Sequence, residues 1–307
     1  LPILPPSAGV AQACCITGFH DFKRGRRLES IRFYDRGLSI YRLLSAENPQ
    51  CLYRYAAESG TIGFLMSATN EYQPRSAELL RQAVAIWKRL EQEQPGKYRV
   101  EYATACDNLG YQLSLSHDVA THREAEAVLR EALAIRQQLY QQDPGRFRRD
   151  YAWTADNLGK VLTRDSGSFA EAEELLRTAL QLREEMNRES GGKNISEVAW
   201  TCHNLGQLLA KKPEYAAEAE QCYRTSIRLR QKLEQLSPGT HAADTSWVMF
   251  WLAELLSHDP ARHAETGELY CAALEIQQKV EQEHPGMFVL NIDRIRERYE
   301  SFRNGIQ

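Results

Sequence analysis

Histidine and cysteine are the side chains best suited to hold a metal or act as nucleophiles. This chain of 307 residues has eight of the first and seven of the second. Their spacing fits neither task. There is no Cys-x-x-Cys and no zinc-type Cys/His run. There is also no His-Glu-x-x-His, no Gly-x-x-x-x-Gly-Lys-Ser/Thr and no Gly-x-Gly-x-x-Gly after a strand pattern. "HDPARH" at 258–263 brings two histidines close, but it reads as an exposed loop. The expectation is no enzyme: no catalytic residue, no metal and no cofactor. The residues whose spacing carries chemistry are of another kind. Asn108, Asn157 and Asn204 each stand before Leu-Gly, and Trp153, Trp200 and Trp247 recur 47 residues apart. An amide side chain offers one donor group and one acceptor, matching a single peptide unit of an extended ligand. Tryptophan supplies the large apolar area that often dominates binding energy. Both types point to recognition.

The elements that would position them are repeats, the first thing to seek in a chain of this length. Gly110, Gly159 and Gly206 are 49 and 47 apart, and steps of 47 reach Gly63 and Ala253. A second series, Ala83, Ala132, Ala179, Ser226 and Ala273, keeps the same period, and a step of 46 back reaches Gly37. Pro95-Gly96, Pro144-Gly145, Gly191-Gly192, Pro238-Gly239 and Pro285-Gly286 separate the units, because proline cannot continue a helix and glycine readily leaves one. The units are 1–50 (a degenerate first copy), 51–96, 97–145, 146–192, 193–239 and 240–286. A capping segment, 287–307, follows.

Each unit reads as two helices. Ala155, Leu158 and Leu162 share one narrow stripe of the first; Ala172, Leu175, Leu176 and Ala179 share one stripe of the second. Strong helix formers fill the rest, and no alternating β-branched run competes. A last helix from about Phe288 to Arg303 gives the open end a charged outer face, as solenoids require. Gly159 with Ala172, Gly110 with Ala125 and Gly206 with Ala219 should mark where paired helices cross most closely.

Leu158-Gly159, then Ala172, Leu176 and Ala179, with Pro144 closing the unit before, resembles the tetratricopeptide repeat. The stretches "EAEAVLREALAIRQQLYQQDPG" and "YATACDNLG" resemble the long repeats of kinesin light chains, and equally those of bacterial signalling proteins. The resemblance implies an all-α fold: a single right-handed α-solenoid of about six antiparallel helix pairs, with a 47-residue period and a C-terminal capping helix, over 1–307. It also implies an asparagine ladder that grips a ligand backbone at Asn108, Asn157 and Asn204. One departure stands out. The family's core tryptophan lies four residues before the glycine, where this chain has Ser59, Cys106, Ala155, Cys202 and Met249. Its own tryptophans lie six before, about 200° away on a helix.

On the helical wheel the face opposite the stripe carries Trp153, Trp200 and Trp247, with Asp107, Asp156, His203 and Phe250. Tyr111, Lys160, Gln207 and Glu254 stand beside them, then Leu115, Arg164 and Lys211, with the asparagine column on the flank. First helices line the concave side of such solenoids, so this face is expected to bind the partner. Two readings stay open for each column. The asparagines either hold a ligand backbone or bond to the neighbouring helix. The tryptophans either anchor a ligand or pack between repeats. A further column on the second helices, Arg136, Arg183 and Arg230, turns toward the buried stripe and reads as structural, its guanidinium groups paired with carboxylates.

Net charge of −3 and a pI near 6.3 disfavour nucleic acid; the one dense basic run, Lys23 to Arg27, reads as a solvated loop. The cysteines are odd in number and sit in apolar helical patterns, which suits a reducing, cytoplasmic setting. No run is long enough to span a bilayer, and the start is unlike a secretory signal. The start also lacks an initiator methionine, so the chain reads as a piece of a longer or processed protein. The expected function is a protein-interaction module that binds a peptide or protein partner in the groove, as the adaptor or sensor part of a signalling or defence protein. The alternative is a solenoid that self-associates or packs on another domain of its own protein, with no peptide ligand.

Overall fold

The computed structural model describes residues 5–67, 72–116, 118–283 and 289–306. The expected Pro285-Gly286 turn and Phe288 lie outside them. The chain is all-helical, with thirteen α-helices among the described residues. These are α1 (Ala8–Lys23), α2 (Arg27–Leu44), α3 (Pro49–Ser67), α4 (Gln73–Glu93), α5 (Arg99–Ser114), α6 (Val119–Gln142), α7 (Pro144–Leu162), α8 (Phe169–Glu189), α9 (Ile195–Leu209), α10 (Ala216–Leu236), α11 (Ala242–Leu256), α12 (His263–Glu283) and α13 (Val289–Ile306). They pack in consecutive pairs, six in all, with α13 against α12. The degenerate opening segment is thus a full helix pair, α1 with α2. Two compact units can be distinguished, Leu1–Phe147 and Arg148–Gln307.

The turns between pairs explain why the repeat punctuates as it does. Gly96 and Gly239 have φ of +88° and +84°, which L side chains rarely adopt. In both turns a glutamate from the preceding helix accepts two backbone N–H groups. Glu91 takes those of Gly96 (2.7 Å) and Tyr98 (2.9 Å), and Glu234 takes those of Gly239 and His241. The second lock holds the Glu234 carboxyl below the usual range, chiefly through the Gly239 N–H. Pro144-Gly145 behaves differently, because α7 begins at Pro144 itself. Proline suits a first turn, where its missing N–H has no intrahelical partner to lose.

Within a pair, small residues set the approach. A Cβ on Gly159 would lie 2.7 Å from Leu176 Cγ and 3.2 Å from the Ala172 carbonyl oxygen. Those two residues belong to α8, so α7 and α8 touch there with no room for a side chain. Gly206 meets the ring of Tyr223 on α10 in the same way. The buried stripes Ala155, Leu158 and Leu162 of α7 and Ala172, Leu176 and Ala179 of α8 then close over this point.

Candidate partner-binding face

Consider the face of α7 opposite its stripe. Asp156 and Asn157 are buried, and Trp153 and Lys160 are partly exposed. Asp156 meets two donors through one of its oxygens. Arg183, from α8, brings a guanidinium nitrogen to 3.4 Å of Asp156 Oδ2, and Asn204 Nδ2, from α9, donates to the same oxygen at 3.1 Å. Arg183 also donates to Thr201 Oγ1 (2.5 Å) and the Glu197 carbonyl (3.1 Å), both on α9. One arginine therefore ties the first helices of two successive repeats. Its guanidinium carbon lies 5.9 Å from the Trp153 ring.

On α9 the partly exposed Trp200 has Lys160 Nζ 5.6 Å and the Arg230 guanidinium 5.8 Å from its ring. Burial lowers the Lys160 pKa, with Arg164 adding and Asp156 opposing. His203, one residue before Asn204, is buried against Tyr223 at 6.0 Å between ring centres. Burial, helped by Arg230 and Lys160, pushes its pKa down to about 3. Arg164 and Lys211 are exposed, just past the ends of α7 and α9.

The same columns continue on α11, but there α13 lies over them. Trp247 stacks on the buried Phe250 at 5.0 Å and 17°. The Arg294 guanidinium of α13 lies 5.3, 5.7 and 5.4 Å from the rings of Trp247, Phe250 and Trp251. Arg298 pairs with Glu254 at 2.6 Å, and the Tyr270 hydroxyl donates to the same carboxylate. In the first unit, buried Asp107 pairs with Arg136 at 3.3 Å, and Arg136 also donates to Thr104 at 2.8 Å. Asn108 and Tyr111 are partly exposed there, the Tyr111 ring 6.2 Å from that of Phe64, an exposed phenylalanine.

The structure thus brings together Asp156, Asn204, Lys160, Trp200 and His203, and adds Arg183 and Arg230, which the sequence reading set apart as structural. It also buries Asp107, Asp156, His203 and Phe250, which a wheel places opposite the core, and Asn157 and Asn204, which it places on the flank. A wheel has one inside, whereas a first helix in a stack has its own second helix on one side and neighbouring first helices on its flanks. The joint recurrence of Asp107 with Arg136 and of Asp156 with Arg183 was the available signal for the arginine link.

Several polar atoms on this face are buried without a hydrogen-bond partner, among them Asp156 Oδ1, Asn157 Nδ2 and His203 Nδ1. Such groups are uncommon, because an unmet buried donor or acceptor costs about 1–3 kcal/mol. Among the described residues no three His, Cys, Asp or Glu gather as a metal site would require. No helix among them is long and apolar enough to cross a membrane.

Residues 152–187, the α7–α8 hairpin that carries this face, match the family model described as tetratricopeptide repeat. These residues are a tetratricopeptide repeat, and the chain around them has a helical repeat fold. The solved structure of BtubC (BKLC) from P. vanneervenii resembles the repeat protein with a TM-score of 0.52 at 16% identity, over 89% of each chain. The nuclear import adaptor Nro1 of S. pombe aligns over 98% of each chain at 10% identity, with a TM-score of 0.48. The first is a likeness of fold. No curated protein matches the repeat protein.

Proposed function

We propose that this repeat protein is an interaction scaffold whose first helices bind a peptide or protein partner, as the adaptor or sensor part of a larger signalling or defence protein in the cytoplasm. The observation that carries this reading is the unmet polar lining of α7 and α9. Asp156 Oδ1 and Asn157 Nδ2 are one acceptor and one donor, both buried and unpartnered, and a peptide unit carries the complementary donor and acceptor. Partly exposed Trp153 and Trp200 flank them as apolar anchors. Asn108, with Tyr111 nearby, extends the proposal to the first unit. Asn204, by contrast, already donates to Asp156, so its part is to aim that carboxylate. All seven cysteines are free, which suits a reducing compartment.

The test is a pull-down of partners from cell extract, comparing wild type with the Asn108→Ala/Asn157→Ala/Asn204→Ala triple variant, with circular dichroism to verify folding. Partners lost only from the folded variant support the reading. A partner set unchanged by the variant, together with a concentration-dependent mass in light scattering, would instead favour self-association.

A further inference from the structure

The first and last helices differ in what they show to solvent. α13 exposes Asp293, Arg296, Glu297 and Glu300, the charged outer face that ends a solenoid. α1 has no such face. Ala13, Ile16, Phe19, His20 and Lys23 are exposed along one side of it, with Ala11, Cys14, Cys15 and Gly18 buried on the other. Ile16 and Phe19 are 50% and 38% exposed, and Leu28, just past the turn into α2, is 67% exposed. Single exposed hydrophobic side chains are ordinary. Here three of the seven large ones among the described residues fall within residues 16–28, while Leu43, Phe64, Val119 and Leu236 are scattered along the chain.

The same stretch holds the one dense basic run, and Lys23 to Arg27 are all exposed. Arg26 pairs with Asp21, whose carboxyl is almost buried. That Asp21 is the sole acid from Ala8 to Leu28, and Glu29 is the first exposed carboxylate beyond it. Lys23, Arg24 and Arg27 form no ion pair among the described residues, and Lys23 Nζ lies 5.5 Å from the centre of the Phe19 ring. The turn projects from the hairpin: Gly25 has φ of +76°, and a Cβ there would meet no atom within 4 Å. Cations alone would make a solvated loop, as the sequence suggests. Their apolar neighbours change that reading. A nucleic acid would answer the cations but leave Ile16 and Leu28 in water. A projecting tip also suits a flat, yielding surface better than a groove. An anionic bilayer meets both demands, with negative headgroups outside and acyl chains just beneath.

We propose that the α1–α2 tip docks on an anionic lipid surface. Lys23, Arg24 and Arg27 sit at the headgroups, and Ile16, Phe19 and Leu28 enter the interface beneath them, the long basic stems lying along the same apolar layer. Docking of this kind needs no membrane-spanning helix, and none occurs among the described residues. It uses no residue of the proposed partner-binding face, so the two readings stand or fall separately.

Co-sedimentation of the full chain with excess vesicles tests this, using phosphatidylcholine alone and phosphatidylcholine mixed with phosphatidylserine, each at low and high salt. The expected result is binding to the anionic vesicles only, weakened by salt. Lys23→Gln, Arg24→Gln and Arg27→Gln should each weaken it about fivefold, and the Ile16→Ser/Leu28→Ser double variant about tenfold or more. All five side chains are exposed, so circular dichroism should match wild type. No binding to the anionic vesicles, or equal binding to both kinds, would overturn the proposal. So would anionic binding that the Ile16→Ser/Leu28→Ser change leaves intact; with heparin bound equally well by that variant, the tip would be a site for soluble polyanions instead.

Discussion

The guanidinium of Arg183 lies 3.4 Å from Asp156 on its own hairpin and also reaches Thr201 and the Glu197 carbonyl on the next. Both charged side chains are almost fully buried. Removing one partner of such a pair strands the other away from water, which costs about 3–5 kcal/mol. Arg183→Ala should lower stability by that order in urea unfolding of the folded chain. A cost under about 1 kcal/mol would show that the pair is not maintained in solution.

Gly159 is fixed by close approach. Even a methyl group there must move Leu176, whose Cγ would sit 2.7 Å away. Gly159→Ala is expected to cost about 1–3 kcal/mol by overpacking, and Gly159→Leu more. Both are measurable as a drop in denaturation midpoint. A Gly159→Leu variant as stable as wild type would contradict the close crossing of α7 and α8.

His203 makes the fold sensitive to acid. Its folded pKa of about 3 lies below the 6.5 of an ordinary histidine, so the native state prefers the neutral ring and the unfolded state binds the extra proton. This contribution to stability is fully present above pH 6.5. It declines as pH falls toward 3, by up to about 1.4 kcal/mol per unit. Unfolding free energies of wild type and His203→Asn between pH 7.5 and 4.5 check this; the variant should lose that part of the slope, and parallel curves would show that His203 is not held neutral.

Trp200 reports on the proposed face. It is partly exposed with two cations near its ring. A partner seated on α7 and α9 should change its fluorescence and shield it from acrylamide. Asn157→Ala should weaken the same partner by about tenfold or more if its amide is satisfied by the ligand. Unchanged affinity in that variant would assign Asn157 to the framework.

The period of Gly110, Gly159 and Gly206 announced the helix pairs, because close crossings and turns demand particular residues at fixed spacing. The burial of Asp156 and Asn157 was not legible in the same way. Their exposure depends on which neighbours flank α7, and a wheel drawn for one helix has no neighbours. Arg183 was readable as buried and paired, yet its reach to Thr201 depends on a long side chain crossing between repeats. The start of α7 at Pro144 shows a similar ambiguity, since a proline that ends one helix can equally open the next.

The arginines also determine how the second unit would come apart. Arg183 is anchored in α8 but holds α9, and Arg230 is anchored in α10 but holds Asp244 of α11. Each hairpin is thus fastened by a side chain belonging to the one before it. Under tension applied at the C-terminal end, the unit should release hairpin by hairpin, each step resisted by apolar packing and by one guanidinium. A force trace would then show a staircase, with its tallest riser at Arg183.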